Sequence, residues 1–355
     1  MRKGNHYYRG ELIGLVQTYL LRGGNVGRKQ TTGGRDPQSE PPVAVLSAQP
    51  KQRNRNLGDF LFKNLTLFFA IIVFSLVFVM AYEMYKGSSL TIQKFGWKFL
   101  WTSTWDPVQE VYGALPYIYG TIVSSLIALV LALPLSVGVS IFLSEMAPRW
   151  LEQGTSFLVE LLAAIPSIVY GLWGMFVLVP FVRRSIEPML SDTLGFLPLF
   201  RGAPYGFGML TAGIILAIMI LPIITSISRD VMKAVPNTQR EAALALGATK
   251  WETTMIVFSS AKSGILGAAL LGLGRAIGET MAVTMVIGNV PTISSSLLDP
   301  GYSMASVLAN EFSEASTQMH LSALIEIGLI LFAVTFVLNA VARLIVWSVT
   351  KQFAQ

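Results

Sequence analysis

The sequence has 355 residues, of which 53% are hydrophobic and 13% charged, with a mean hydropathy of +0.58. Soluble domains carry roughly 25% charged residues, so the two water-soluble domains that such a length allows are excluded. The absence of cysteine and the presence of only two histidines, His6 and His320, exclude disulfides and thiolate or histidine metal centres, and leave no evident nucleophile–base pair for an enzyme.

The net charge of +6 lies entirely at the front: residues 1–61 hold ten Lys/Arg against four Asp/Glu, while 62–355 hold sixteen of each. Residues 1–56 are rich in Gly, Pro, Gln, Asn and Arg and read as a disordered tail. A basic tail beside a membrane span faces anionic lipid headgroups rather than nucleic acid. The mildly apolar stretch 11–21 lacks a small-residue cleavage site and is not read as a cleaved signal.

A membrane-crossing helix needs about 20 predominantly apolar residues. Six stretches qualify, near 65–82, 117–143, 157–182, 208–227, 264–290 and 321–349, and the second and fourth carry no charge. Pro134, Pro166 and Pro222 fall inside these stretches, where membrane helices tolerate proline if neighbours bind the freed carbonyls. Residues 57–355 are therefore expected to form one all-α, polytopic domain of six transmembrane helices. With the N-terminus cytoplasmic, nineteen Lys/Arg fall inside and six outside, so both termini are placed in the cytoplasm. Trp97, Trp101 and Trp105, in the first outer loop, are expected to anchor it at the headgroup level. Glu160 and Glu326, near span ends, are read as packing or snorkelling to the interface.

The loop at about 229–262 between spans four and five carries the clearest motif. Thr238 and Glu241 have the S/T-x-x-E spacing of a capping box, Ala and Leu follow, and Gly247 is placed to end the helix in a left-handed cap. A helix that short needs something to pack on. Glu241-Ala242-Ala243, three residues, then Gly247 resembles the EAA loop of ABC-importer permeases, whose coupling helix docks on an ATPase subunit. The proline that usually follows in that pattern is replaced by Val257-Phe258-Ser259-Ser260, so the junction into span five is expected to be more continuous.

In span five, Gly274-Arg275-Ala276-Ile277-Gly278-Glu279-Thr280-Met281-Ala282-Val283 resembles the signature of phosphate-specific transport permeases, in the C-type form more than the A-type. Ala163-Ala164-Ile165-Pro166-Ser167-Ile168-Val169-Tyr170-Gly171 in span three fits the same family. The resemblance implies a type I ABC-importer permease fold in a bacterial plasma membrane. It implies Arg275, Glu279, Pro166, Ser167 and Tyr170 as candidates for the path or its gate, and Glu241, Ala242, Ala243 and Gly247 for ATPase coupling. It also implies phosphate as substrate and, as partners, a second (A-type) permease, an ATP-binding subunit dimer and an extracytoplasmic phosphate-binding protein. No cofactor is implied. Other readings stay open: a permease for another oxyanion such as sulfate or molybdate, an ATP-independent carrier, or an intramembrane enzyme.

Arg275 and Glu279 are four apart, so on a continuous helix they share a face and can pair. A charge at mid-bilayer costs about 2.5–3.5 kcal/mol, a cost kept only where it faces protein or a water-filled path. Two roles compete for Arg275: a stationary partner of Glu279, or a planar fork that meets the anion in transit. Gly274-x-x-x-Gly278 is a small-xxx-small spacing that lets a neighbouring helix approach.

Overall fold

The computed structural model describes residues 57–352; the tail over 1–56 lies outside the described residues. Among the described residues the architecture is helical, with only isolated bridges at Asp106–Val111 and Gly288–Gly301. Among the described residues, six helices are long and apolar enough to cross a membrane: α1 (Leu57–Gly87), α3 (Leu115–Ile141), α5 (Ser167–Leu194), α6 (Met209–Lys233), α8 (Lys250–Gly278) and α10 (Gln318–Gln352). Four shorter helices join them: α2 (Ser89–Phe95), α4 (Arg149–Ala164), α7 (Asn237–Ala245) and α9 (Met304–Glu311).

α6 is the central helix, with 67% of its apolar window buried. It can be central because its neighbours present small residues. On α3, Gly120, Ser124, Ala128, Ala132, Ser136 and Ser140 recur every fourth position or so and are buried, a small-residue stripe that brings two backbones together. Gly213 of α6 faces Ile127 so closely that a Cβ there would lie 2.4 Å from its Cγ2. On the other side, α8 approaches α6 through Gly264 and Gly272, where an added Cβ would stand 2.3 Å from Val231 and 2.8 Å from Ile224. The expected seam at Gly274 and Gly278 is not used within the described residues: nothing comes within 4 Å of a Cβ on Gly278, and Asn339 only just reaches Gly274.

The third span differs from its expected limits. Residues 149–164 form the separate helix α4, and the chain then extends through Ile165 (ψ 129°) and Pro166 (ψ 138°) before α5 begins at Ser167. Pro166 lacks an N–H and pushes the preceding residue out of the helical region. Pro134 and Pro222, by contrast, lie inside continuous helices. There the Ser136 hydroxyl of α3 donates to the Leu221 carbonyl beside Pro222 at 3.2 Å. α4 is instead tied to α6 by ion pairs, Lys233 to Glu152 and Arg229 to Glu160, the latter at 3.8 Å. Hydrogen bonding from Lys233 holds the Glu152 carboxyl below its ordinary value.

The fifth span also ends early. α8 runs without a break from Lys250, as the missing proline implied, but stops at Gly278, and Glu279 is extended (φ −71°, ψ 126°). Residues 279–303 then fold back as irregular chain with one short helical turn, Met281–Thr284. Such backbone is tolerated at membrane depth only where protein or a water-filled cavity covers it.

Of the three tryptophans, Trp97 and Trp101 are 83% and 75% exposed, as an interfacial anchor requires. Trp105 is not an anchor. Its Nε1–H donates to Glu311 at 2.9 Å, its ring packs edge-on against Tyr112 and Tyr117, and His320 reaches the same carboxylate at 3.1 Å. That cluster joins the loop between α2 and α3 to α9 and α10. Burial pushes the Tyr112 hydroxyl up from its ordinary value and the Tyr302 hydroxyl to about 12, so both stay neutral. Glu326 does not snorkel; it is buried in α10 with Oε2 unpartnered among the described residues.

Candidate coupling and permeation sites

α7 lies between the ends of α6 and α8, and its sequence explains its limits. Pro236 sits at the N-cap and its fixed φ of −57° launches the helix at Asn237. Thr238 is thus already inside the first turn, and the expected Thr238–Glu241 box does not form. The capping box forms at the next helix instead. Thr249 Oγ1 accepts from the Glu252 N–H at 3.3 Å, and Glu252 Oε2 accepts from the Thr249 N–H at 2.7 Å, opening α8.

The C-terminal end of α7 is as expected. Gly247 has φ +85°, its N–H bonds to the Leu244 carbonyl at 3.0 Å, and the Ala248 N–H reaches back to Ala243 at 3.0 Å. These are the two bonds of a Schellman cap. Of the motif residues, Ala243 is buried while Glu241, Ala242 and Gly247 are exposed. Leu244 and Leu246 also face outward, at 52% and 89% exposure. This leaves α7 with an outward surface of small and apolar residues.

The inward face is held by a residue that the motif did not single out. The Arg240 guanidinium donates to Glu145 Oε1 at 2.8 Å, to the Val235 carbonyl at 2.6 Å and to the Met232 carbonyl at 3.0 Å. Glu145 belongs to the last turn after α3, ninety-five residues away in sequence, and its side chain is only 9% exposed. One side chain therefore ties α7 to the ends of α3 and α6. Only the unusual position of an Arg inside an otherwise bland motif could have pointed to it.

Gly247 supplies a direct test. A non-glycine residue in the left-handed region costs about 1–2 kcal/mol, and asparagine tolerates it best. No atom crowds a Cβ there, so backbone conformation alone is at stake. Gly247→Val is expected to leave membrane insertion intact while cutting ATP-driven uptake and stimulated ATP hydrolysis together, and Gly247→Asn to stay near normal. Equal activity of the two variants, measured at matched expression, would show the cap to be irrelevant.

At the membrane-embedded break, the structure brings the two sequence motifs together. Gly171 and Gly174 of α5 pack onto the turn after α8: a Cβ on Gly171 would lie 3.1 Å from Ala282 Cα and 3.3 Å from the Met281 carbonyl. Tyr170 is buried, its hydroxyl donating to the Leu162 carbonyl of α4 at 2.8 Å, and Pro166 and Ser167 form the α4–α5 corner. Arg275 lies within electrostatic reach of Tyr170. The Arg275–Glu279 pair is not formed. Helix α8 ends between them, Glu279 turns away in extended conformation, and no ion pair within 4.0 Å joins them. Arg275 is exposed on a side of α8 that the described residues do not cover.

Residues 136–351 match the model of the family described as "Binding-protein-dependent transport system inner membrane component". The chain belongs to this family. It is a multi-pass inner-membrane permease of an ABC transporter, a machine with further subunits. Among curated relatives, the permease PstC of the phosphate transport system of Pasteurella multocida is 46% identical over 86% of this chain and 97% of its own length. That of Haemophilus influenzae is 46% identical over 85% and 97%. A probable archaeal one from Methanocaldococcus jannaschii is 37% identical over 79% and 91%. The permease thus aligns with its relatives over nearly their whole length, including both motif regions.

Proposed function

We propose that this permease carries inorganic phosphate inward across the bacterial plasma membrane, as one of two permease subunits. Its partners are an A-type permease, an ATP-binding subunit dimer that docks on α7, and an extracytoplasmic phosphate-binding protein. The single observation behind this reading is the pinned α7, whose outward Leu244 and Leu246 have no partner within the described chain. The names of the curated relatives support phosphate as the anion. Moving a monoanion against an inside-negative potential costs about 2.3 kcal/mol per 100 mV, so energy must be supplied. The sequence has no G-x-x-x-x-G-K-[ST] loop, so that energy comes from a partner's ATP site and not from this chain. The uncovered side of α8 around Arg275 is read as one wall of the path, completed by the second permease.

The test is reconstitution of the four-component assembly and measurement of labelled phosphate uptake with ATP. Uptake that sulfate or molybdate, but not phosphate, supports would overturn the anion; uptake by this chain alone would overturn the machine. Orientation is tested separately. Cysteine at Thr249 is expected to react only with reagents that enter the cytoplasm, and cysteine at Ser295 with impermeant external ones. External labelling at position 249 would reverse the topology and remove α7 from the ATPase.

A further inference from the structure

Helix α4 is bracketed by two extended prolines, Ala147–Pro148 (ψ 137° and 150°) before it and Ile165–Pro166 (ψ 129° and 138°) after it. A proline has no N–H to continue a helix and disfavours helical geometry in the residue before it, so α4 cannot fuse with either neighbour. Within α4, Val159 alone is buried, while Trp150 and Phe157 are 74% and 62% exposed. What holds α4 on α6 is therefore charge: Glu152 to Lys233, and Glu160 to Arg229 at 3.8 Å. Ion pairs between partly exposed side chains are weak ties. Glu152, Glu160 and Lys233 are all partly exposed, and the buried Arg229 also bonds Asp230 of its own helix at 2.8 Å. Releasing α4 thus leaves no buried charge alone and uncovers little apolar surface, the marks of an element that opens at low cost.

Both ends of α4, by contrast, are fastened to the two candidate sites. Just before Pro148, Glu145 accepts from Arg240 of α7 at 2.8 Å. At the other end the Leu162 carbonyl accepts from the Tyr170 hydroxyl at 2.8 Å, a bond that spans the Pro166 junction and links α4 to α5. Gly171, next to Tyr170, packs against Ala282 in the turn that follows Arg275 and Glu279. A continuous set of contacts thus runs from α7 through α4 to the membrane-embedded break, and α4 is a stiff segment of it between two hinges.

We propose that α4 is a connecting rod: when the ATP-binding subunits shift α7, α4 swings about Pro148 and Pro166, leaves its ion pairs on α6, and carries the movement to α5 and the wall around Arg275. It rests on the reading of α7 as the docking helix. Coupling between distant sites requires an element with two arrangements that both sites bias, and α4 docked on α6 or released from it is such an element.

The test uses the full assembly in proteoliposomes with cysteine-free partner subunits; this chain has no cysteine of its own. Spin labels on Gln153→Cys of α4 and Lys262→Cys of α8, both exposed positions, leave the two ion pairs intact. Their separation is expected to change between the nucleotide-free assembly and one trapped with ATP and vanadate. In a second variant, Glu152→Cys with Lys233→Cys, a short reversible bis-methanethiosulfonate pins α4 to α6. Phosphate uptake and ATP hydrolysis should be lost together on linking, with the ATP-binding subunits still bound, and should return on reduction. That return separates a blocked movement from misfolding. A label separation that ATP leaves unchanged, or full uptake with the link in place, would overturn the rod. If the ATP-binding subunits do not bind the unmodified chain at all, the α7 reading falls and takes the rod with it; if they bind and α4 stays docked, the rod alone falls.

Discussion

Arg240→Met is expected to abolish ATP-driven uptake while the protein still inserts in the membrane. The substitution removes the bonds that tie α7 to Glu145 and to the carbonyls of Met232 and Val235. It also leaves the Glu145 carboxylate, 9% exposed, without its cation. Breaking a buried ion pair from one side typically costs about 3–5 kcal/mol, because the remaining charge is uncompensated. Part of that cost is therefore local stability and part is the position of α7. The double variant Arg240→Met with Glu145→Leu separates them. It removes the orphaned charge, so protein level and thermal stability should recover. Uptake and retention of the ATPase subunits should not, because the carbonyl tethers of α7 are still missing. Normal uptake in the single variant, at normal protein level, would show that α7 needs no such anchor.

Arg275→Gln is expected to lose phosphate uptake by roughly tenfold or more, the range that follows from losing a hydrogen bond to a charged group at about 1.5–3 kcal/mol. Two readings of this residue make different forecasts for the neutral double variant. Had Arg275 and Glu279 neutralised each other along one helical face, removing both charges would restore activity. The helix ends at Gly278 between them and no ion pair forms, so there is no mutual neutralisation to restore. Arg275→Gln with Glu279→Gln is therefore expected to remain as inactive as the worse single variant, with assembly and ATPase binding intact. Charge reversal of the two positions should be no better. Recovery of uptake in either double variant would restore the pair and remove Arg275 from the path.

The sequence alone determined the membrane class, because six apolar runs of sufficient length admit few other solutions in water or lipid. It also determined the left-handed Gly247, since a glycine after an Ala/Leu run has a local reason to end a helix. The unbroken start of α8 was legible for a similar reason, the absence of one proline. Each of these is a short-range matter of propensity, steric freedom or hydropathy.

The tertiary structure decided what depends on which neighbour is at hand. Pro134, Pro166 and Pro222 look alike in sequence, yet only Pro166 breaks its helix, while the other two lie inside helices packed closely on each other. Thr238 and Thr249 both begin an S/T-x-x-E pattern, and the proline at 236 shifted the first out of its capping position while the second formed. Glycines recur along the second half of α8, but packing chose Gly264 and Gly272 against α6 and left Gly278 open. The contacts that matter most to the proposed mechanism join residues far apart in the chain: Arg240 to Glu145, and the Gly171 face of α5 to the turn after α8. No window of sequence contains both partners, so only the packed helices could bring them together.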